Sequence, residues 1–250
     1  MKREFAAPVA LGGLLIVGWL VTASANPSAL LPGPGPVLAR LAGFIVDSSY
    51  WGYLGTTVLE AFGGALLGTA VALPMAALIH RSRWAAAAIN PFLGATQAIP
   101  AVAIAPLLVL WIGYGLTPVI VLCALIVFFP ILISTVIGLR HVDADVVDAA
   151  RMDGAGSWQL LTQVEFPMAL ASVLGGIRNG VTLSVTGAIV GEMVMGGGGL
   201  GTVLTVQRDS FDTAGMIGTV IVLALIASSA YAVIHRWERN SRVIESFRRS

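Results

Sequence analysis

The sequence predicts an all-α, polytopic membrane protein that forms one transmembrane domain over residues 1–250, with both termini in the cytoplasm. Three observations predict this fold: the composition, six long apolar segments, and a one-sided distribution of basic residues. Of the 250 residues, 57% are hydrophobic and 11% are charged, whereas a soluble domain carries about 25% charged residues. A chain with so few polar groups could not cover its surface in water, so we expect it to fold in a lipid bilayer.

Six apolar segments are each predicted to cross the membrane as a helix, since about 20 apolar residues span the hydrocarbon core. Prolines predict kinks in the second and third segments, because proline removes a backbone donor and clashes with the preceding turn; they are Pro74, Pro91, Pro100 and Pro106. The stretch NPSALLPGPGP, residues 26–36, is predicted to be a loop and not a helix. The six segments run over about residues 7–24, 52–79, 85–112, 117–138, 167–195 and 213–236.

The basic residues predict the orientation, because cytoplasmic loops carry an excess of Lys and Arg. In the six-helix arrangement only Arg40 and Arg208 lie on the external side. Both termini are therefore expected in the cytoplasm, together with the polar segment, residues 140–166, between the fourth and fifth apolar segments. The basic residues on the cytoplasmic side are Lys2, Arg3, Arg81, Arg83, Arg140, Arg151, Arg236, Arg239, Arg242, Arg248 and Arg249.

The first apolar segment has a second interpretation. The residues MKREF, an apolar run and TASA also resemble a secretory signal with a small-residue cleavage site. Cleavage after Ala25 would leave five helices with the C-terminus still inside, so the charge distribution does not separate the two cases. A retained first helix is favoured, because the proline-rich stretch after it suits a short external connection.

Several chemistries are excluded by residue type. Lys2 is the only lysine, so the chain cannot form the G-x-x-x-x-G-K-[ST] loop that binds nucleotide phosphates. Cys123 is the only cysteine and is expected to be a buried small hydrophobic residue. The histidines, each beside an arginine at the end of an apolar run, are expected at the membrane interface and not as metal ligands: His80, His141 and His235. We expect no catalytic residue, no metal site and no nucleic-acid partner.

The polar segment has the local signals of two short helices. Asp143 or Asp145 can cap a helix over about residues 145–153 by accepting from free backbone N–H groups. Gly154 is placed to end that helix, since glycine adopts the left-handed conformation at low cost. Ser157 can cap a second short helix, after which a proline opens the fifth apolar segment, where its missing N–H costs nothing. An ordinary interfacial loop would account for these local signals equally well.

The spacing inside the polar segment resembles a known motif. Asp148-Ala149-Ala150, three residues, Gly154, nine residues and then VEFP, residues 164–167, are similar to the E-A-A-x3-G-x9-I-x-L-P pattern of importer-type ABC transporter permeases. The departures are Asp for Glu, Val for Ile and Phe for Leu, and each keeps the chemical type. PGPGPVLARL, QAIPAVAIAPLLVLWIGYG and GEMVMGGGGLGTVL also resemble permeases for sulfonates, taurine, nitrate and pyrimidine precursors, so the resemblance covers almost the whole chain.

The resemblance implies a type I importer-like permease subunit in the bacterial inner membrane. It implies a homodimer in membrane lipid, two ATP-binding subunits that hold ATP and magnesium, and a periplasmic or lipid-anchored solute-binding protein. This chain itself would hold no cofactor. The polar segment would be the coupling element that docks on the ATPase, with Trp158 and Leu161 packed beneath it and Arg151 able to pair with an acid of the ATPase. The residues carried over to this role are Asp148, Ala149, Ala150, Arg151, Gly154, Trp158, Leu161 and Pro167.

Polar residues at membrane depth are candidates for the translocation path, because charges in hydrocarbon are costly. Helix rise places Glu60 about 13 Å from the external end of its segment and Arg178 about 16 Å from the internal end, so both fall near the midplane of a core about 30 Å thick. Gln97 and Asn179 come out at similar depth. One hypothesis pairs Glu60 with Arg178 in the closed path; the other treats them as an ion pair that only joins two helices.

The stretch from Glu192 to Leu200 is the candidate outer gate. Its glycines break the fifth helix, and irregular backbone at membrane depth is tolerated only where it is buried in protein or lines a cavity. A simple external turn is the alternative. The residues assigned to this gate are Glu192, Met193, Met195, Gly198, Gly199 and Leu200.

The function expected from these features is that of an ABC importer permease. The solute would be a small organic anion or a vitamin precursor of the sulfonate, taurine, nitrate, pyrimidine or riboflavin type. An ion-coupled secondary transporter that uses Glu60 and Arg178 as its relay is the alternative, and a membrane scaffold without transport is a third class.

Overall fold

The structure, a computed structural model, describes residues 2–25, 31–95 and 100–240, and the regular elements in these ranges are all helices. A 3-10 turn at Ala101–Ile104 precedes α5, and a π-helical stretch at Leu160–Glu165 joins α8 to α9. The helices are α1 Lys2–Ala25, α2 Pro34–Val46, α3 Ser48–Arg81, α4 Arg83–Ala95, α5 Ala105–Ile112, α6 Leu116–Arg140, α7 Ala144–Met152, α8 Ser157–Gln159, α9 Phe166–Met195, α10 Leu200–Asp209 and α11 Thr213–Asn240.

Four helices in the described ranges are long and apolar enough to cross a membrane: Ser48–Arg81, Leu116–Arg140, Ser157–Met195 and Thr213–Trp237. Of the predicted span over residues 85–112, the structure describes α4, the 3-10 turn and α5, while residues 96–99 lie outside the described residues, so this span stays a prediction. Pro100 stands directly before the 3-10 turn, and Pro106 lies in the first turn of α5. A proline is tolerated in the first turn of a helix, because the N–H group that it lacks would have no partner there. A count of six spanning helices stays a prediction.

Of the loop predicted over residues 26–36, residues 26–30 lie outside the described residues, and the prediction is wrong at its end because α2 begins at Pro34. Proline is well suited to the first helical positions, since its missing N–H has no partner there and its φ is already helical. Val37 of α2 is buried, and a side chain at Gly218 of α11 would collide with the ring of Phe44. The helix α2 therefore packs against α11.

The centre of the molecule is built from α3, α6 and α9. Two glycines allow these helices to approach closely: a Cβ at Gly64 of α3 would lie 2.2 Å from Cβ of Cys123 on α6, and one at Gly176 of α9 would lie 2.7 Å from Cβ of Ser134. Small residues at helix crossings are the usual way to gain packing in lipid, where helices lack a hydrophobic driving force to associate. Cys123 is fully buried, as predicted.

Candidate functional site

The first half of the polar segment has the predicted local structure. The carboxylate of Asp143 caps α7, and its Oδ1 accepts from the backbone N–H of Asp145 at 2.9 Å. Gly154 follows α7 with φ of +88°, in the left-handed region. The cap at Asp143 and the left-handed Gly154 therefore fix the start and the end of α7.

The second half departs from the prediction. The cap of α8 is Gly156 and not Ser157, and the N–H of Gly156 donates to Oε1 of the Gln159 side chain at 2.9 Å. The chain then stays helical from α8 through the π-helical stretch into α9, with Pro167 in the first turn of α9. A displacement of α8 is therefore carried directly into a 30-residue helix.

The polar segment is largely exposed. Asp148, Ala149 and Gly154 are exposed and Ala150 is half-buried, while Nη1 of Arg151 lies 2.8 Å from Oδ1 of Asp148 on the same face.

Its two apolar candidates differ in burial. Leu161 is buried, as expected, but Trp158 is 73% exposed, so the expectation that it packs beneath the loop is wrong. Met152, which sequence reasoning did not single out, is also exposed. Apolar side chains held in solvent at the end of a bundle are typical of a surface that another protein covers.

A buried ion cluster, which sequence reasoning missed, lies at the base of the polar segment. Glu165 is 4% exposed, with Oε1 3.3 Å from Nε2 of His80 and Oε2 3.0 Å from Nη2 of Arg81. The same Nη2 of Arg81 donates to the backbone carbonyl of Ser157. The cluster therefore joins the end of α3 to α8 and to the start of α9. Its only sequence signal is the His-Arg pair that ends the second apolar segment.

At the opposite end of the bundle, Glu192 organises the start of α10. Its Oε1 accepts from Oγ1 of Thr57 on α3 at 2.7 Å, and its Oε2 accepts from the N–H of Gly201. Oγ1 of Thr57 also accepts from the N–H of Leu200 at 2.8 Å. The first N–H groups of a helix have no partner inside the helix and carry positive partial charge. Glu192, only 1% exposed, satisfies one of them with its carboxylate.

Two glycines at the start of α10 are required by this packing. A Cβ at Gly199 would lie 2.2 Å from the carboxyl carbon of Glu192, and one at Gly201 would lie 2.4 Å from the carbonyl oxygen of Ile189. Gly196 has φ of +72° and ends α9. Part of the predicted gate is thus a tightly packed joint between α9, α10 and α3. Sequence reasoning treated this stretch as gate or turn and did not predict α10.

Glu60 lies beside this joint and borders a cavity of about 550 Å³. Its carboxyl group neighbours that of Glu192, and it is 1% exposed. Neither of its oxygens receives a hydrogen bond from an N–H or hydroxyl group of the described residues. The cavity, named here the Glu60 cavity, is lined by Thr56, Glu60, Tyr114, Gly115, Leu116, Met195, Gly196, Gly197 and Gly198.

The predicted pairing of Glu60 with Arg178 is wrong. Nη1 of Arg178 lies 3.0 Å from Nδ1 of His235 on α11, and its guanidinium lies 5.1 Å from the ring centroid of Tyr231. Glu60 neighbours Glu192, and Arg178 precedes Glu192 by 14 positions in the same helix, which is about 21 Å of helix rise. Counting depth from assumed membrane boundaries placed two groups together that lie at different levels.

The remaining path candidates are dispersed. Asn179 is exposed, next to Arg178 on α9. Met193 is exposed and Met195 is buried at the Glu60 cavity. Gln97 lies outside the described residues. The structure therefore brings together Glu60, Glu192 and the glycine stretch, and leaves Arg178 and Asn179 apart from them.

Comparison with known proteins decides the family. Residues 64–242 match the family described as the binding-protein-dependent transport system inner membrane component. The chain belongs to this family. It is the permease subunit of an ABC importer, and the motif that suggested this in the polar segment lies inside the matched range.

Individual relatives agree with the family. The permease is 40% identical over 228 residues to the riboflavin transport system permease protein RibX of Chloroflexus aurantiacus, covering 90% of this chain and 85% of that protein. It is 30% identical over 241 residues to the formylaminopyrimidine transport permease protein ThiX of Halalkalibacterium halodurans, covering 95% and 96%. A chain of the MetNI methionine ABC transporter in an inward-facing conformation superposes with a TM-score of 0.68 at 19% identity, covering 75% of this permease and 93% of that chain. The fold is therefore shared with that transporter.

Proposed function

We propose that this permease forms the solute path of a bacterial inner-membrane importer as a homodimer, and that its polar segment docks on two ATPase subunits. Nucleotide and magnesium would be bound by those subunits, and a periplasmic or lipid-anchored protein would deliver the solute. The orientation follows the eleven basic residues, so the polar segment faces the cytoplasm and the Glu60 cavity faces outward.

The observation that carries this proposal is the contrast between the surface of the polar segment and its base. Asp148, Ala149 and Trp158 are exposed to a partner, whereas Glu165 at the base is buried in contact with His80 and Arg81. A force applied to α8 reaches α9 through continuous helix and reaches α3 through this cluster. ATP-driven closure of the ATPases would thereby move two core helices together.

The transported solute is proposed from the relatives. RibX is named for riboflavin and ThiX for formylaminopyrimidine, and both fit the vitamin-precursor side of the expected range. Glu60, Glu192 and residues 193–200 are proposed to line or shape the outer part of the path. An ion-coupled transporter that uses Glu60 and Arg178 as its relay is not supported, because these two groups do not meet.

A cross-linking experiment tests the docking. In a Cys123→Ala background, Ala150→Cys is expected to form a disulfide with a cysteine engineered into the ATPase surface, in amounts that change when ATP is added. Asp209→Cys, exposed at the opposite end of the bundle, is the control and is expected to form none. No cross-link from Ala150→Cys, together with full ATP-driven uptake by Gly154→Asp, would refute the proposal.

A further inference from the structure

We propose that the Glu60 cavity is a solute subsite that selects nitrogen heterocycles with N–H donors and rejects sulfonates. This inference rests on the proposed function, since it assigns the solute class to the path of that permease. Its core is an asymmetry between two neighbouring acids, Glu60 and Glu192, which have equal burial and different partners.

Glu192 is committed to the protein. Its two oxygens are used by the hydroxyl of Thr57 and the N–H of Gly201, and a carboxylate held at a helix N-terminus is further stabilised by the helix dipole. This acid therefore has little capacity left for a ligand. The structural requirement for an acid at this end of the bundle is already met by Glu192.

Glu60 caps no helix among the described residues, and its carboxyl group is set against that of Glu192. Both of its oxygens are buried, and neither accepts a hydrogen bond from a protein N–H or hydroxyl group. A buried carboxyl oxygen without a donor carries an unfavourable desolvation cost. A donor that enters the Glu60 cavity removes this cost, so the site favours a ligand with N–H groups.

The walls of the cavity fit a flat ring. About 550 Å³ lies within the usual range of ligand pockets, and three consecutive glycines, Gly196 to Gly198, leave one wall without side chains. Tyr114 contributes an exposed aromatic ring and Thr56 a hydroxyl group. A Cβ at Gly198 would have Oγ1 of Thr56 as its nearest neighbour, at 3.9 Å, so this wall borders open space.

The same features disfavour a sulfonate. Its oxygens are acceptors with negative charge, so they offer no donor to Glu60 and are repelled by the buried carboxylate of Glu192. Lysine is absent beyond Lys2, and no arginine lines the cavity. The cavity therefore discriminates by charge and by donor count.

Binding to the purified permease–ATPase complex tests the inference. Riboflavin binding is followed by flavin fluorescence, and a 4-aminopyrimidine and ethanesulfonate are used as competitors. We expect riboflavin or the aminopyrimidine to bind and ethanesulfonate not to compete. Glu60→Gln, which keeps the shape and replaces one carboxyl oxygen by an NH2 donor, is expected to weaken binding about 10-fold, the loss typical of one hydrogen bond.

Two further variants complete the design. Gly198→Leu is expected to block binding by filling the cavity without changing charge. If Glu60→Gln does not assemble with the ATPase, Gly198→Leu is the variant that tests binding in the Glu60 cavity. Asp209→Asn removes an exposed acid at the same end of the bundle and is expected to leave binding unchanged.

Equal affinity in Glu60→Gln, displacement by ethanesulfonate, or binding of neither nitrogen heterocycle overturns the inference. Because only a complex that retains its ATPase is assayed, these results leave the proposed function standing. Failure of the ATPase to co-purify with the wild-type permease would count against the proposed function instead.

Discussion

Nη2 of Arg81 lies 3.0 Å from Oε2 of Glu165, and this ion pair joins the last residue of α3 to the last residue before α9. The pair is protected from solvent on the side of Glu165, which is 4% exposed. Arg81 also donates to the carbonyl of Ser157. Its guanidinium therefore contacts both the first residue of α8 and the last residue of the π-helical stretch. The geometry makes α3, α8 and α9 one mechanical unit at this end of the bundle.

Glu165→Gln is expected to uncouple transport from ATP hydrolysis. The variant keeps the volume of the side chain and loses the charge that holds His80 and Arg81, so α3 no longer follows the polar segment. In proteoliposomes we expect uptake per ATP hydrolysed to fall about 10-fold, an effect of the size that mutations between coupled sites commonly have, while basal ATPase activity remains.

The control for Glu165→Gln is Asp209→Asn, which removes an exposed acid paired with Arg208 at the other end of the bundle. Exposed pairs contribute little, so this variant is expected to behave as wild type. If Glu165→Gln lowers the yield of folded protein but leaves uptake per ATP unchanged, the cluster has a structural role only.

Trp158→Ala is expected to weaken assembly with the ATPase and not the folding of the permease. The indole is 73% exposed, so its removal costs little inside this chain, whereas aromatic side chains buried in an interface often contribute 2 kcal/mol or more. We expect at least a roughly 30-fold loss of affinity for the ATPase.

The affinity of Trp158→Ala is measured by titrating purified ATPase onto permease in nanodiscs. Trp111→Ala is the matched control, since Trp111 is equally exposed at the end of α5. Equal losses in the two variants would argue against a docking role for Trp158.

Local chemistry was the part of the site that the sequence could predict. The cap at Asp143 and the left-handed Gly154 depend on atoms within a few residues, so residue type and spacing determine them. The family motif also pointed to Asp148 and Ala149 as docking residues, and both are exposed. Most features that depend on residues within one or two helical turns could therefore be predicted, although the cap of α8 is Gly156 and not the predicted Ser157.

Contacts between distant segments were not predictable in this way. The partners of Glu165, His80 and Arg81, lie at the end of another helix. Glu165 occupies an x position of the motif, where any residue is allowed, so the motif does not predict these contacts. The membrane depth of Arg178 was counted from Pro167, on the assumption that the hydrocarbon core begins there. This count placed Arg178 at the level of Glu60, whereas the structure places it beside His235. Trp158 was expected to pack beneath the coupling element that the resemblance implies, although a docking surface needs apolar groups that stay exposed.

Thr57→Val is expected to destabilise the joint at the start of α10. The valine has nearly the same shape, but it can neither donate to Glu192 nor accept from the N–H of Leu200. Two buried groups lose a partner, and each such loss costs about 1–3 kcal/mol. Thermal unfolding in detergent, followed by size-exclusion chromatography, is expected to show a clearly lower midpoint.

Thr202→Val is the comparison for Thr57→Val, because the hydroxyl of Thr202 is exposed and donates to the carbonyl of Gly197. Its midpoint is expected to stay close to wild type. Equal midpoints for the two valine variants would show that the Thr57 contacts contribute nothing to stability.

Gly201→Ala and Gly197→Ala are expected to separate packing from flexibility in the glycine stretch. At Gly201 the new methyl group would lie 2.4 Å from the backbone carbonyl of Ile189, which cannot move without shifting α9. At Gly197 the nearest atom is Cγ of Glu192 at 3.9 Å, an ordinary contact. Overpacking costs about 1–3 kcal/mol, so Gly201→Ala should lower the thermal midpoint and Gly197→Ala should not.

If flexibility of the glycines were what matters, both alanines would impair uptake to a similar degree with stability unchanged. Measuring uptake and midpoint on the same two preparations therefore decides whether this stretch acts as a packed joint or as a hinge.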